Sequence, residues 1–294
     1  MSGRHHRSRV LDKQWVTPRM VRLTLDCGAD FVPTGTDSHV AVYFYPPEAR
    51  VPAEFTAENL TDLHRFASPQ VRRYTVRNVC NMTDTGTGAA TIDLDVVVHE
   101  PAGLASGWAR DAVVGDEVLW WGPTEAWHLP EQTRELVLVA DETGLPAVAE
   151  ILAVCPDEVR THVLALVDDE RDEPYLATTG QEQQAQLTWI HRGPAAGVVP
   201  KELPRALDNL LAAVTANATG PVSLWAGVEF AEAGTLRRHF SDLERSHSHV
   251  TSYWIHGQAQ DARPDARNRR RNLANRAEHP DEAAAHLTPP HPAK

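Results

Sequence analysis

The stretch of residues 71–77, VRRYTVR, carries side chains suited to a flat, phosphorylated ligand. If it forms a strand, alternation puts Arg72 and Tyr74 on one face, and Thr75 and Arg77 on the other. An arginine can hold a phosphate while a neighbouring tyrosine ring stacks on an aromatic ligand. A purely structural role in cross-strand pairs remains open for the same residues.

A second stretch, residues 99–109, offers backbone groups to phosphate. It follows a predicted strand that ends at His99, and it is rich in small residues, including Ala105 and Ser106. Small side chains let backbone N–H groups approach a pyrophosphate closely. We expect a loop here, followed by a glycine turn and another strand.

A third stretch joins the apolar run at residues 136–140 to a predicted helix at 145–154. The linking letters are Asp141-Glu142-Thr143-Gly144. Parallel sheets bind ligands beyond the carboxyl ends of their strands, and Thr143 can N-cap a helix whose free N–H groups face such a ligand. A simple cap without a ligand is the other interpretation. No G-x-G-x-x-G or Walker A motif follows a predicted strand.

The elements that must position these stretches divide the chain in two. Alternating apolar residues predict strands at 21–25, 40–44, 72–79, 92–98 and 117–121, with a short helix within 53–65. Strands at this spacing are typical of a closed antiparallel Greek-key barrel. After about residue 130, continuous apolar strands alternate with helices, which predicts a parallel sheet covered on both faces. An arginine in a barrel, a small-residue loop and a parallel sheet together describe a flavin site that faces a nicotinamide site.

We therefore expect four regions. They are a basic N-terminal arm at 1–13, an FAD-binding barrel domain at 14–128, an NAD(P)H-binding α/β domain at 129–257, and a tail at 258–294. The tail has almost no large apolar residues, so we predict that it is disordered.

Composition excludes several classes of protein. The 294 residues carry 28 Lys and Arg against 40 Asp and Glu, a net charge of −12, which disfavours nucleic acid as a partner. No segment is apolar enough to span a membrane, and the basic N-terminus lacks the apolar run of a signal peptide. The three cysteines and the histidines match neither a disulfide framework nor a metal site. A cytoplasmic protein without a bound metal is expected.

Several motifs in order resemble one family. They are RRYTVR (72–77), DLDVVVH with GLASGWA (93–109), ADETGLPA (140–147), LWAGVEF (224–230) and SYWIHG (252–257). The chain resembles the siderophore-interacting proteins, FAD-dependent ferric-siderophore reductases of the ferredoxin-reductase-like group. The resemblance implies that NAD(P)H, either NADPH or NADH, passes a hydride to FAD, which then gives single electrons to the iron of a small-molecule ferric siderophore.

The resemblance also implies a role for each matched residue. Tyr74 and Thr75 would be catalytic, with the tyrosine stacked on the isoalloxazine and the threonine near flavin N5. Arg72 would hold FAD phosphate and Arg77 would support the same site. The remaining cofactor-binding residues divide between the flavin pyrophosphate, at His99, Ala105, Ser106 and Trp108, and the nicotinamide pocket, at Asp141, Glu142 and Thr143.

Departures from the family pattern leave two alternatives open. Glu100, Leu104, Glu125 and Ile255 replace residues usual in the family. The chain is then either a flavin-dependent reductase of another acceptor in a biosynthetic pathway, or a non-catalytic member that binds a ligand.

Charge raises two further questions. After the second predicted strand of the sheet, Asp168 could accept a ribose hydroxyl of NADH, while Arg171 could face the 2′-phosphate of NADPH. An anionic ferric siderophore also needs a basic patch in an acidic protein, and we expect it from the N-terminal arginines (Arg4, Arg7 and Arg9) or from the last helix (Arg237 and Arg238).

Overall fold

The computed structural model describes residues 4–28, 31–53, 57–80, 90–124, 127–177, 185–193, 199–258 and 264–287. Within this part of the chain, no helix is both long and apolar enough to cross a membrane.

The first half of the chain forms a closed antiparallel barrel, as predicted. Its strand order, β1-β2-β5-β4-β3-β6, is a Greek key. Alternating aliphatic side chains such as Leu23, Val40 and Leu94 are fully buried inside it. The strands are β1 (Arg4–Thr17), β2 (Met20–Asp26), β3 (His39–Phe44), β4 (Gln70–Cys80), β5 (Thr91–Val97) and β6 (Glu117–Thr124), with helix α1 (Ala57–Phe66) between β3 and β4.

The prediction of a basic N-terminal arm at residues 1–13 is wrong for residues 4–13, because they belong to β1. This strand pairs with both β2 and β6. Its inward positions include His6, whose ring stacks on Trp120 at 3.8 Å, and Ser8, which accepts the Trp120 indole N–H at 2.8 Å. These inward side chains are polar, so hydrophobic alternation could not reveal the strand.

The expected small-residue loop is wrong from Leu104 onward, where helix α2 (Leu104–Asp111) begins. Ala105 and Ala109 bury one side of this helix against the barrel. Alanine and leucine are strong helix formers, and the apolar face gives the helix a surface to pack on.

The second half forms the predicted parallel sheet, with strand order β11-β10-β7-β8-β9. Its strands are β7 (Glu135–Asp141), β8 (Arg160–Val167), β9 (Ala185–His191), β10 (Val222–Glu229) and β11 (Ser248–Trp254). The helices are α3 (Leu145–Val154), the short α4 (Pro174–Ala177), α5 (Leu203–Asn217) and α6 (Phe230–His239). Apolar clusters cover both faces of the sheet. Strand order reverses between β7 and β10. Such sheets bind ligands beyond the C-terminal ends of the strands at this reversal, so we expect the ligand there.

The predicted disorder of the tail is wrong for residues 264–287. They form α7 (Pro264–Glu278) and α8 (Pro280–His286). Asn272 donates to the His64 carbonyl at 3.0 Å, and Arg276 donates to the Phe66 carbonyl at 2.6 Å. These donors satisfy carbonyls at the C-terminal end of α1 that lack helical partners. The docking is largely polar, so an argument from apolar content misses it.

Charged groups hold the two domains together. Arg19, in the turn between β1 and β2, contacts three carboxylates of the α/β domain, with N–O distances of 3.6 Å to Asp168, 2.9 Å to Asp169 and 2.6 Å to Asp172. Asp172 is buried and also accepts a hydrogen bond from Thr17. One cation of the barrel thus offsets part of the negative charge at an acidic strand end of the other domain.

We expect Arg19→Ala to lower the free energy of unfolding by about 1–3 kcal/mol, because it leaves a buried carboxylate without its cation. Urea denaturation at pH 7 measures the change. Arg171→Ala is the matched control: Arg171 binds the same Asp169 but is 62 % exposed, so its loss should cost less than about 0.5 kcal/mol. Equal effects of the two substitutions would contradict this assignment.

Candidate active site

Strand β4 changes partner along its length. Residues Gln70–Thr75 of β4 pair with β3, whereas pairing with β5 begins only at Val76. Strand β5 continues beyond this point beside β2 and leads towards α2. From this divergence we infer a cleft between the first half of β4 and the start of α2.

The expected phosphate-binding and stacking residues lie on the inner face of this part of β4. Arg72 is opposite Val42 and Tyr74 is opposite Val40, both core residues of the barrel. Tyr74 is partly buried against that core, and burial raises the pKa of its hydroxyl. At the other wall, the Trp108 ring meets Phe44 edge-to-face at 5.4 Å.

The start of α2 offers backbone donors to the same cleft. Its N-cap residue, Gly103, supplies no side-chain cap for the first-turn N–H groups. Ser106 accepts the His99 N–H at 2.8 Å, which fixes how the chain passes from β5 into the helix. Uncapped N–H groups beside an arginine suit a diphosphate. The donor set of the cleft therefore fits the phosphate part of FAD.

The acid at position 100 does not stand alone beside these donors. The Glu100 carboxylate lies 3.3 Å from the Arg110 guanidinium, and both side chains are well exposed. Leu104, the first residue of α2, is exposed as well. Glu125 lies outside the described residues.

Arg77 has a different position from the other candidates. It is buried on the outer side of β4 and forms an ion pair with Glu150 of α3. Burial raises the pKa of the Glu150 carboxyl, and the Arg77 charge opposes that rise. Arg77 therefore joins the barrel to the α/β domain, and the prediction that it supports the flavin site is corrected.

Asp141 organises the turn after β7, at the point where strand order reverses. Its buried carboxylate accepts the Thr143 backbone N–H at 2.8 Å and the Trp254 indole N–H at 2.7 Å. The Thr143 hydroxyl also donates to Asp141, so the expected N-cap is wrong; Gly144 occupies that position. A Cβ on Gly144 would lie 2.2 Å from the Gly227 carbonyl oxygen, so this close approach to β10 requires glycine.

Glu142, the second expected residue of the nicotinamide pocket, forms an ion pair with buried Arg192. Arg192 also lies 3.3 Å from Glu232 of α6. Burial raises the pKa of Glu142 and of Glu232 to about 7, and the negative charge of Asp141 acts in the same direction on both. One guanidinium therefore balances a group of carboxyls at this sheet edge.

A further contact joins the cleft to the sheet, and no sequence motif predicts it. Asp37, buried in the turn before β3, accepts the Trp225 indole N–H at 3.2 Å and the Tyr253 hydroxyl at 3.3 Å. Tyr253 also hydrogen-bonds the hydroxyl of Thr75. Burial raises the pKa of Asp37 to about 7 despite these donors. Thr75 thus lies where the barrel cleft meets the parallel sheet.

The basic patch expected at the N-terminus stays a prediction. Arg7 and Arg9 both contact Glu117 on the neighbouring strand β6, so one carboxylate offsets part of the charge of two guanidiniums. In the last helix, Arg237 donates to the Val250 carbonyl at 2.8 Å and Arg238 donates to the Thr235 hydroxyl at 3.1 Å. Among the described residues, no group of three or more His, Cys, Asp or Glu is arranged to hold a metal.

Comparison with known families accounts for most of the chain. Residues 9–127 match the siderophore-interacting FAD-binding domain, and residues 133–257 match the siderophore-interacting protein domain. The chain belongs to the siderophore-interacting protein family. The cleft of the barrel therefore lies in an FAD-binding domain, and the sheet lies in its partner domain.

Individual family members are similar over nearly their full length. An uncharacterised protein of Mycobacterium tuberculosis is 28 % identical over 278 residues, 89 % of this chain and 94 % of that protein. The ferric vibriobactin reductase ViuB of Vibrio cholerae is 24 % identical over 277 residues, 88 % of this chain and 94 % of ViuB. A siderophore utilization protein from T. fusca has a crystal structure with a TM-score of 0.71 and 27 % identity, covering 88 % of this chain and 95 % of that one.

Within this family member, we expect Arg72→Ala to weaken FAD binding by roughly 10- to 100-fold, the loss of a charge-assisted hydrogen bond to phosphate. Titration of the FAD-free protein with FAD, followed by flavin fluorescence, measures the affinity. The control is Arg73→Ala, the next residue on β4, which is exposed and on the opposite face; it should change the affinity by less than about threefold. Equal losses would show that β4 does not orient Arg72 towards FAD.

Proposed function

We propose that this protein is a flavoprotein reductase that uses FAD to pass electrons from NAD(P)H to a ferric siderophore. One NAD(P)H and two Fe(III) ions give NAD(P)⁺, two Fe(II) ions and one proton. Hard oxygen ligands hold Fe(II) less tightly than Fe(III), so iron is released. When bound, FAD supplies the conversion of a hydride into single electrons.

The observation that carries this proposal is the contact of Thr75 with Tyr253. Thr75 belongs to the FAD-binding domain. Tyr253 lies near the C-terminal end of β11, and sheets of this kind bind a nucleotide beyond the C-terminal ends of their strands. A hydride donor at that edge and a flavin in the cleft would meet beside this contact. The names of relatives such as ferric vibriobactin reductase support an iron substrate.

The chain's own side chains would bind and orient the cofactor. Arg72 and the first-turn N–H groups of α2 would hold the FAD phosphates. Tyr74 would stack on the ring system, and Thr75 would hydrogen-bond near N5. Trp108 and Phe44 would exclude water from the inner end of the cleft.

The charges of the described residues favour a ferric complex with little negative charge. Glu117 offsets part of the charge of Arg7 and Arg9, and the protein carries a net charge of −12. A strongly anionic complex would be repelled on approach. A neutral or cationic ferric siderophore fits this surface better.

An anaerobic half-reaction tests the proposed activity. We expect the FAD-loaded protein to be yellow, to be bleached by NADH or NADPH, and to regain its colour on mixing with a ferric siderophore while Fe(II) forms. Absorbance at the flavin band and trapping of Fe(II) by ferrozine measure the two events. Reoxidation by a quinone or free flavin, with no acceleration by any ferric chelate, would favour a different acceptor. A colourless protein that takes up no FAD would favour a non-catalytic ligand-binding role.

For the nucleotide, we propose NADH. Two cations near the end of β8 are already bound by carboxylates: Arg171 by Asp169, at 2.9 and 2.7 Å, and Arg19 by Asp169 and Asp172. Asp168 follows β8, and its side chain is 24 % exposed. A ribose hydroxyl could donate to this carboxylate, whereas a 2′-phosphate would face a row of acids.

We expect kcat/KM for NADH to exceed that for NADPH by at least about tenfold, since carboxylates outnumber the cations here and would repel a 2′-phosphate. Asp168→Ala should reduce this ratio by fivefold or more. Steady-state rates with ferricyanide as the acceptor measure it. Glu170→Ala, an exposed acid two residues away, is the control and should leave the ratio within about twofold. A preference for NADPH in the wild-type protein would overturn the assignment.

A further inference from the structure

The buried carboxyl of Asp37 is not used by the reaction described so far. Asp37 is 4 % exposed and lies at the meeting point of the two domains. It receives Trp225 from β10 and Tyr253 from β11. Its two neutral donors offset only part of the cost of burying this carboxyl, and burial raises its pKa to about 7.

The hydrogen bonds around Asp37 run in one direction. The Tyr253 hydroxyl has one hydrogen, and it donates this hydrogen to the Asp37 carboxylate. The Tyr253 oxygen is then the acceptor for the hydroxyl of Thr75. Thr75 in turn keeps an oxygen lone pair for a donor in the cleft. Thr75, Tyr253 and Asp37 form a chain whose donors all point towards the carboxyl.

The proposed reaction leaves a proton that must travel in this direction. A hydride brings two electrons and a proton into the cleft. Two ferric ions remove the two electrons and accept no proton. One N–H bond at the cofactor must therefore break in each turnover, and its proton must reach a base.

We propose that Asp37 is the base that receives this proton, through the hydroxyls of Thr75 and Tyr253. The Thr75 oxygen accepts the proton, and the Thr75 hydroxyl hydrogen moves to the Tyr253 oxygen. The Tyr253 hydroxyl hydrogen then moves to the Asp37 carboxylate. One N–H bond is broken and one O–H bond forms on Asp37, with no other reactant. This inference rests on the proposed function, because a two-electron acceptor that takes a hydride would leave no proton behind.

The surrounding charges suit a base that works near neutral pH. Burial raises the pKa of Asp37 to about 7. His39 hydrogen-bonds the backbone of Asp37, and Arg73 acts electrostatically on His39. Asp141 acts on Tyr253 from the β7 side. A general base is most effective when its pKa lies close to the working pH.

The chain contains a natural control for this arrangement. Asp95 is a buried barrel carboxylate that also accepts the hydroxyl of a tyrosine from the second domain, Tyr175. Asp95 is paired with the Arg22 guanidinium at 2.8 Å. Asp95 contributes to the same domain junction, but its partner is Tyr175, whereas Tyr253 is the tyrosine that contacts Thr75. Asp95→Asn therefore perturbs the junction without touching the proposed path.

The test separates the two half-reactions of the FAD-loaded protein. Wild type, Asp37→Asn, Tyr253→Phe and Asp95→Asn are reduced anaerobically with NADH, or with dithionite if NADH is not oxidised, and then mixed with ferricyanide, which takes one electron and no proton. We expect reduction by NADH within about twofold of wild type for Asp95→Asn, which lies outside the path. Reoxidation is compared from the fully reduced state of each protein, so the comparison does not depend on how fast NADH reduces it. Reoxidation should be slowed tenfold or more in Asp37→Asn and Tyr253→Phe, and within twofold of wild type in Asp95→Asn.

A second readout does not depend on turnover. The flavin midpoint potential is measured between pH 5.5 and 9 in the same four proteins. In wild type and Asp95→Asn, the midpoint potential should vary more steeply with pH around 7 than in Asp37→Asn. Reduction adds negative charge in the cleft, and this charge raises the proton affinity of a nearby carboxylate. The steep region should disappear only when Asp37 is replaced.

The outcomes are distinguishable from a failure of the proposed function. Reoxidation of Asp37→Asn at the wild-type rate, with an unchanged pH profile, would overturn the relay while leaving the reductase intact. If Asp37→Asn does not fold, Tyr253→Phe tests the same path by removing the middle hydroxyl. Fast ferricyanide reduction without any reduction of ferric siderophores would instead overturn the substrate and leave the relay standing.

Discussion

The buried carboxylates at the junction between the two domains are the constraint on which the site depends. A carboxylate out of water is costly unless donors surround it. Asp37 and Asp95 in the barrel obtain part of their donors from tyrosine and tryptophan side chains of the other domain. Arg19 of the barrel in turn supplies the cation for an acidic strand end of the sheet. Each domain completes the polar groups of the other, which fixes how the cleft faces the sheet edge.

Two features of the backbone then shape the site itself. In the barrel, β4 diverges from β5 along the segment that carries Arg72 and Tyr74. In the sheet, Gly144 packs directly against the Gly227 carbonyl, which brings the turn after β7 close to β10. The divergence of β4 from β5 would give room for a cofactor. The lack of a side chain at Gly144 would remove bulk where a nucleotide approaches. The polar contact of Thr75 with Tyr253 lies between them.

The departures from the family pattern acquire physical meaning in the structure. Glu100 is held by Arg110 and does not stand as an unpaired acid beside the phosphate donors. Several buried carboxyls near the sheet edge, including Asp37 and Glu142, have pKa values raised to about 7 by burial. An acidic protein can therefore keep part of its carboxyl groups neutral where electrons and protons are exchanged. That arrangement is compatible with redox chemistry that changes the charge of the site by one or two units.

The two-domain architecture follows from local patterns, because strand alternation and continuous apolar strands have a period set by backbone geometry. Contiguous motifs also predicted Arg72, Tyr74 and Asp141 as site residues, and the sequence analysis could do this without any tertiary contact. It missed β1 and the docking of α7, since polar groups supply much of those contacts. The pairing of Arg77 with Glu150, and the contact of Asp37 with Tyr253 across 216 positions, became evident from the folded chain alone. Such contacts join residues far apart in the chain and depend on how two domains meet, which no local pattern encodes.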